Sequence, residues 1–228
     1  STPIFLRSCG SMSSSRARSS ASSSTPARRS SRNAASGCAG RVNTENVTIT
    51  TKTDKPGIDI RFVPGCRDSC HIPVIITETG LNDLVYNDFY VGADCDVDII
   101  AGCGIHNSGC ETSQHDGVHT FHVGKNAKVR YVEKHYGEGE GTGERIMNPQ
   151  TIVYLEEGAS IHMETTQIRG IDSTKRYTKI VVGAGGEGVI TEKLLTHGRQ
   201  TAESEMDIVL AGEDASGRVI SRSVAQDE

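Results

Sequence analysis

The sequence predicts an all-β fold assembled from a repeat of about thirty residues, and three observations predict it. Short runs of strand chemistry follow one another from residue 47 onward, separated by Gly, Asn and Asp. A glycine-containing turn recurs at a nearly constant interval. No stretch carries a capped amphipathic helical period.

The strands are expected in thirteen runs. In order they are VTITTK (47–52), IDIRF (58–62), IPVIIT (72–77), LVYNDFYV (84–91), CDVDII (95–100), VHTFHV (118–123) and AKVRYVEK (127–134). TIVYL (151–155), ASIHMET (159–165), YTKIVV (177–182), GVITEK (188–193), EMDIVL (205–210) and RVISRS (218–223) complete the set. Each is rich in β-branched or aromatic residues, which fit a pleated and half-buried surface. The turn pattern is clearest in VGADCDV (91–97) and VGKNAKV (123–129), with looser copies at 155–161, 182–189 and 210–219. Its closing apolar residues are Val97, Val129, Ile161, Val189 and Val219, giving steps of 32, 32, 28 and 30. Two strands and a glycine turn per repeat suit a solenoid, in which each coil buries its inward side chains only by stacking on the next. A sandwich with regularly spaced strands would produce a similar pattern.

Composition narrows the function classes. Aromatics are 4 % and Trp is absent, so core filling falls on Val, Ile and Leu. No apolar run approaches the roughly 20 residues a membrane helix needs. Residues 1–41 hold seven Arg, no Lys and no acid, so removing that +7 from the whole-chain −5 leaves −12 on the remainder. A body so acidic repels a phosphate backbone, and nucleic-acid binding by it is not expected. Seven cysteines at irregular spacings, without an apolar leader, point to a reducing compartment, the cytoplasm, instead of a secreted disulfide framework.

Two segments follow from this division. Residues 1–41 read as a disordered Ser/Arg-rich tail: a solvated extension, an organelle transit peptide, or a stretch outside the native reading frame. Residues 42–228 read as the β domain.

Soft ligands cluster at Cys95, Cys103, His106, Cys110, His115, His119, His122 and His135. Thiolate and imidazole together suit iron, zinc or an iron–sulfur cluster, and Gly102, Gly104 and Gly109 free the backbone between Cys103, His106 and Cys110. Strand alternation turns His119 inward with Phe121 and Val123, leaving His122 on the other face. The candidate metal set is therefore Cys103, His106 and Cys110, with His115 or His122. The alternative is small buried thiols beside histidines lining a polar face. Cys66, Cys70 and His71 form a second, looser group. The run from Tyr136 to Glu144 is glycine-rich and acidic, so it reads as a mobile loop and not as a phosphate cradle, and Glu133, Glu138, Glu140 and Glu144 as solvated acids. No nucleophile elbow, P-loop or zinc-protease motif occurs, and no catalytic residue is assigned.

Several longer segments carry a family resemblance: KTDKPGIDIRFVPG, HIPVIITETG, LVYNDFYVG, IIAGCGIHNSGC, QHDGVHTFHVGKNAKVRYVEKHYGEG, ERIMNPQT, TEKLLTHG and AESEMDIVLAGEDASGRVISRSVA. Across residues 47–226 the chain resembles the SufB/SufD proteins of iron–sulfur cluster assembly. The resemblance implies a right-handed parallel β-helix, a SufC-like ATPase partner, a SufB/SufD-like partner or homodimer, and a sulfur donor. It implies a scaffold and not an enzyme, handling iron or a transient iron–sulfur cluster with none stably bound to the isolated chain. Family members run on past the position of Glu228, and the cysteine and histidine tied to assembly lie in those further coils. The uncapped last coil is then expected to associate with another solenoid. The competing functions are a structural interaction solenoid without cluster chemistry and, more distantly, a β-helix carbohydrate-active enzyme.

Overall fold

One turn, repeated in every coil, sets the architecture. A left-handed residue occurs at Gly65 (φ 75°), Asp94 (56°), Asn126 (57°), Gly158 (67°), Gly185 (62°) and Asp214 (55°). Glycine adopts this region freely, and Asn and Asp are the side chains that tolerate it best. The next residue is small: Cys66, Cys95, Ala127, Ala159, Gly186 and Ala215. Its N–H returns to the carbonyl three residues earlier, as in Ala127 to Gly124 at 3.0 Å and Ala159 to Glu156 at 3.1 Å. Adjacent turns are tied by side chains too, Asn126 Nδ2 donating to Asp94 Oδ1 at 3.1 Å.

The computed structural model describes residues 39–226 and the dipeptides Ile4–Phe5 and Arg7–Ser8. The expected disordered tail over 1–41 falls almost wholly outside the described residues. Every regular element described is a strand. They are β1 (Ile4–Phe5), β2 (Arg7–Ser8), β3 (Ala39–Gly40), β4 (Val47–Thr51), β5 (Gly57–Phe62), β6 (Cys70–Ile76), β7 (Asn82–Val91), β8 (Asp96–His106) and β9 (Ser113–Val123). Next come β10 (Lys128–Glu138), β11 (Arg145–Met147), β12 (Gln150–Leu155), β13 (Ser160–Gln167), β14 (Ser173–Val182), β15 (Glu187–His197), β16 (Thr201–Leu210) and β17 (Ser216–Gln226). All thirteen expected runs are strands, and β1, β2, β3 and β11 are additions.

The coils stack into a parallel β-solenoid of about six turns with two sheets. One sheet runs β6-β8-β10-β13-β15-β17, with β1 at its edge. The other runs β5-β7-β9-β12-β14-β16, with β4 antiparallel on β5 and β11 beside β12 between β9 and β14. β2 and β3 form a separate antiparallel pair.

Register corrects one detail of the repeat. Val97 stacks on Val129 and Ile161, but the next members of that column are Gly188 and Gly217, not Val189 and Val219. A Cβ on Gly188 would lie 3.0 Å from Ile180 Cγ2, and one on Gly217 2.6 Å from Ile208 Cγ2. Isoleucines of the opposite sheet fill the space, so matching apolar residues misplaced the alignment there.

The apolar core lies beside the turns. Ile60, Phe89, Phe121, Val153, Ile180 and Ile208 form one inward column, facing Cys70, Ile99, Tyr131, Met163 and Ile190. Phe89 and Phe121 stack at 4.2 Å, and Tyr131 meets Phe121 edge-on at 5.0 Å. Such burial contributes about 1.5–3 kcal/mol per large side chain. At the opposite corner of the coils, the run from Tyr136 to Glu144 is not a loose loop. Its first three residues finish β10, and Gly141 and Gly143 donate to Asn107 and Gly109 of the coil below at 3.1 and 3.0 Å. Cβ atoms at Gly139, Gly141 and Gly143 would fall 2.1–2.3 Å from carbonyls of that coil, which accounts for the alternating glycines.

Candidate functional site

Strand alternation that buries Phe121 and Tyr131 also buries polar residues farther along the same strands. On β9, His119 and His115 point inward in phase with Phe121; on β10, Glu133 and His135 follow Tyr131. β7 adds Asp83 and Asn87, β8 adds Cys103, and β14 and β15 add Arg176 and Glu192. Each is at least nine-tenths buried, so every charge and donor needs an internal partner.

The partners form a chain across the coils. Asn87 Nδ2 lies 3.4 Å from His119 Nε2, and His119 Nδ1 is 3.0 Å from the Tyr131 hydroxyl. That hydroxyl donates to Glu133 Oε1 at 3.0 Å. Arg176 donates to Glu133 Oε2 at 3.0 Å and to His135 Nδ1 at 3.0 Å, and its Nε lies 3.6 Å from Glu192 Oε1. Glu192 also accepts from Ser204 at 2.7 Å and Ser221 at 3.1 Å. At the other end Asp83 Oδ2 meets His115 Nδ1 at 2.8 Å, and Cys103 borders the same closed space as His115 and His135.

The electrostatics follow from these partners. Burial alone would raise the Cys103 thiol, but the neighbouring His115 and His135 imidazoles outweigh it and lower its pKa to about 7. Burial alone would lower His115, whereas Asp83 and the Cys103 sulfur bring it up to about 10. Burial dominates at His119, which falls to about 4 and is neutral. Glu133 is the reverse: burial opposes its charge, yet His135 and Arg176 hold it well below the usual carboxylate range. A closed space too narrow for a water molecule separates Cys103, His115, His119, Glu133 and His135, beside Gly117, Met147 and Pro149.

The candidate metal set does not converge. Of its five members only Cys103 and His115 meet. His106 is exposed at the end of β8, 3.4 Å from Glu138, and Cys110 is exposed in the following loop. His122 stands outside, stacked between Tyr90 at 5.1 Å and Tyr154 at 5.6 Å. Parity separates them: His106 and His122 occupy outward positions, while Cys103, His115 and His119 point in. Among the described residues no group of three or more His, Cys, Asp or Glu side chains is disposed to hold a metal ion.

Cys66, Cys70 and Cys95 are free and buried. Cys66 and Cys95 fill the small position of the turn, and burial pushes the Cys70 thiol up to about 12. Glu133, expected to be solvated, is 2 % exposed. Asp83, Arg176 and Glu192 were not anticipated; the available signal was their phase with inward residues of the same strands, Arg176 with Ile180 and Glu192 with Ile190.

No helix among the described residues is long and apolar enough to cross a membrane. Neither the curated proteins nor the solved structures yield a match. The family model described as "SUF system FeS cluster assembly, SufBD core domain" matches residues 85–228, from within β7 to the last coil, and thus covers Cys103, His115, Glu133, His135, Arg176 and Glu192. That match spans more than half of the chain, and the protein therefore belongs to the SufBD core domain family of the SUF system for FeS cluster assembly.

Proposed function

We propose that the chain is a non-enzymatic scaffold component of SUF-type assembly, working in the cytoplasm with a SufC-like ATPase, a SufB/SufD-like partner or second copy, and a sulfur donor. Iron and sulfide are its cargo and not a resident cofactor. The observation that carries this reading is the family match over the very coils that enclose a buried thiol, Cys103. The buried carboxylates Glu133 and Glu192 are engaged by Arg176 and hydroxyls, which suits a rigid scaffold better than acid–base turnover.

The geometry disfavours a carbohydrate-active reading. Tyr90, His122 and Tyr154 lie outside on one sheet, but their ring faces stack on one another, and Arg61 covers the far face of Tyr90 at 3.9 Å. A sugar ring would find edges there instead of a platform.

The test is co-purification with a SufC-like ATPase, followed by anaerobic incorporation of iron and sulfide from a sulfur donor with and without ATP. Association with ATP-dependent incorporation supports the scaffold reading. Association without incorporation favours an interaction solenoid, and cleavage of a polysaccharide would overturn both.

A further inference from the structure

The outer face of the sheet that runs from β6 to β17 changes character along its strands. Near the glycine turns its charges compensate one another: Arg130 lies 4.0 Å from Asp98 and 3.2 Å from Glu164, and His162 Nε2 is 3.1 Å from Glu187. At the far end of the strands His106 meets Glu138 at 3.4 Å. Between these paired zones, Lys134, Thr166, Lys193 and Arg222 share one register column across β10, β13, β15 and β17. The three cations are exposed, and none makes an ion pair among the described residues. They form a basic row on a body that carries −12. An apolar row runs beside it, two residues or about 7 Å farther along the strands. Tyr136 stands two positions past Lys134 there, and Leu195 and Val224 are register partners past Lys193 and Arg222. Val224 is 59 % exposed, and Ile168, immediately beyond β13, is 57 % exposed. On β8 the partners of Lys134 and Tyr136 are Gly102 and Gly104. The Tyr136 ring lies over Gly104, where a Cβ would fall 2.4 Å from its Cζ, and the space above Gly102 is open.

We infer that this face docks an acidic amphipathic helix of a partner protein, laid along the coil stack with its carboxylates on Lys134, Lys193 and Arg222 and its apolar side over Tyr136, Leu195 and Val224. Charge complementarity selects the occupant. The three cations lack counter-charges, whereas the acids around them, Asp98, Glu164, Glu187 and Glu138, are each engaged by an Arg or His. Dimensions select its form. Strands of neighbouring coils lie about 4.8 Å apart and a helical turn rises about 5.4 Å, so three turns slip by only about 2 Å against the three coil steps from Lys134 to Arg222. One border of such a helix then follows the basic row while the adjoining face follows the apolar row, in the manner of a helix seated in a groove. The cations supply orientation and encounter rate, and the apolar row supplies contact that persists in salt. A nucleic acid or a lipid bilayer extends well beyond three coils, so it would also face the acids on both flanks of the row. A nucleic-acid backbone would, in addition, leave the apolar row uncovered.

The experiment is fluorescence anisotropy with the full chain and a labelled, side-chain-stapled helix of about 14 residues, built from Leu, Ala and Glu with leucines on one face and glutamates along its border. An isomer of the same composition in scrambled order is the control. The helix should bind at least about tenfold more tightly than the scrambled isomer, and its affinity should fall several-fold between about 0.05 and 0.5 M salt. Lys134→Glu, Lys193→Glu and Arg222→Glu together should weaken binding at least about tenfold, and Leu195→Ser with Val224→Ser about threefold or more. Lys179→Glu, on the outer face of the opposite sheet, should leave binding unchanged. Circular dichroism melting shows that each variant is folded, and Lys193→Glu alone, at one exposed side chain, carries the test should the triple variant not fold. Equal binding of the helix by the charge-reversed and unsubstituted proteins, or of the helix and its scrambled isomer by the unsubstituted protein, overturns the inference. Tighter binding of phosphatidylserine vesicles or single-stranded DNA than of the helix, lost on charge reversal, also overturns it and reassigns the face to a lipid surface or a nucleic acid.

Discussion

Among the described residues Arg176 is the permanently charged cation of the ion pairs in the solenoid interior, and Arg176→Met tests how much those charges depend on it. Its guanidinium lies 3.0 Å from Glu133 and 3.6 Å from Glu192, and all three side chains are at most 3 % exposed. Methionine preserves much of the stem's volume but leaves two carboxylates facing each other across the interior without a fixed counter-charge. Removing one partner of a buried pair costs about 3–5 kcal/mol, against a typical total stability of about 5–15 kcal/mol. The pH dependence carries a definite sign. In the unsubstituted protein the Glu133 pKa is depressed, so its contribution is present above the ordinary value of 4.5 and is lost as pH falls through the folded value. Without Arg176 the Glu133 carboxylate loses one of the charges that hold its pKa down, and its protonation relieves the variant as pH falls. Denaturant unfolding followed by circular dichroism should therefore show the full loss near pH 7.5 and a smaller one near pH 5. A loss below about 1 kcal/mol at neutral pH, or one that grows on acidification, would refute the reasoning.

Other predictions rest on separate features. Gly143→Ala should destabilise by about 2 kcal/mol or more, because its Cβ would lie 2.1 Å from the Glu111 carbonyl, whereas Gly102→Ala, with open space around it, should stay within about 0.5 kcal/mol; paired melting curves decide this. Asn126→Gly should nearly preserve stability while Asn126→Ala costs about 1 kcal/mol, since the left-handed φ of 57° penalises a Cβ that cannot bond locally; equal losses in both would argue that the bond to Asp94 matters more. His119, depressed to about 4, contributes stability that is present above its ordinary 6.5 and lost as pH falls toward 4. The unfolding free energy of His119→Gln should thus vary less across that window, by up to about 3 kcal/mol.

Much of the solenoid was legible because its demands are local. A two-residue period marks a strand, and a left-handed residue followed by a small one marks the turn, so both can be read within a few positions. The inward assignment of His119 and the outward one of His122 followed from the same alternation. The repeat slipped at Val189 and Val219 because stacking selects the residue that leaves room for Ile180 and Ile208, a property of the opposite sheet. The metal set failed to assemble for a related reason. Proximity in sequence placed Cys103, His106 and Cys110 together, yet three residues along a strand reverse the face, and the loop carries Cys110 outside.

The glycine-rich acidic run shows the boundary between the two kinds of information. Composition alone describes flexible, solvated chain, but stacking on the 107–111 corner gives each alternate glycine a carbonyl to lie against. The sequence by itself determined the strands, the turns, the coil length and the family, since each rests on short-range sterics or on an ordered series of segments. Only the tertiary structure decided that Asp83, Cys103, His115, His135, Arg176 and Glu192 share one interior. They come from six strands of both sheets, and which of them meet depends on coil register and strand parity acting together, over separations that no local pattern encodes.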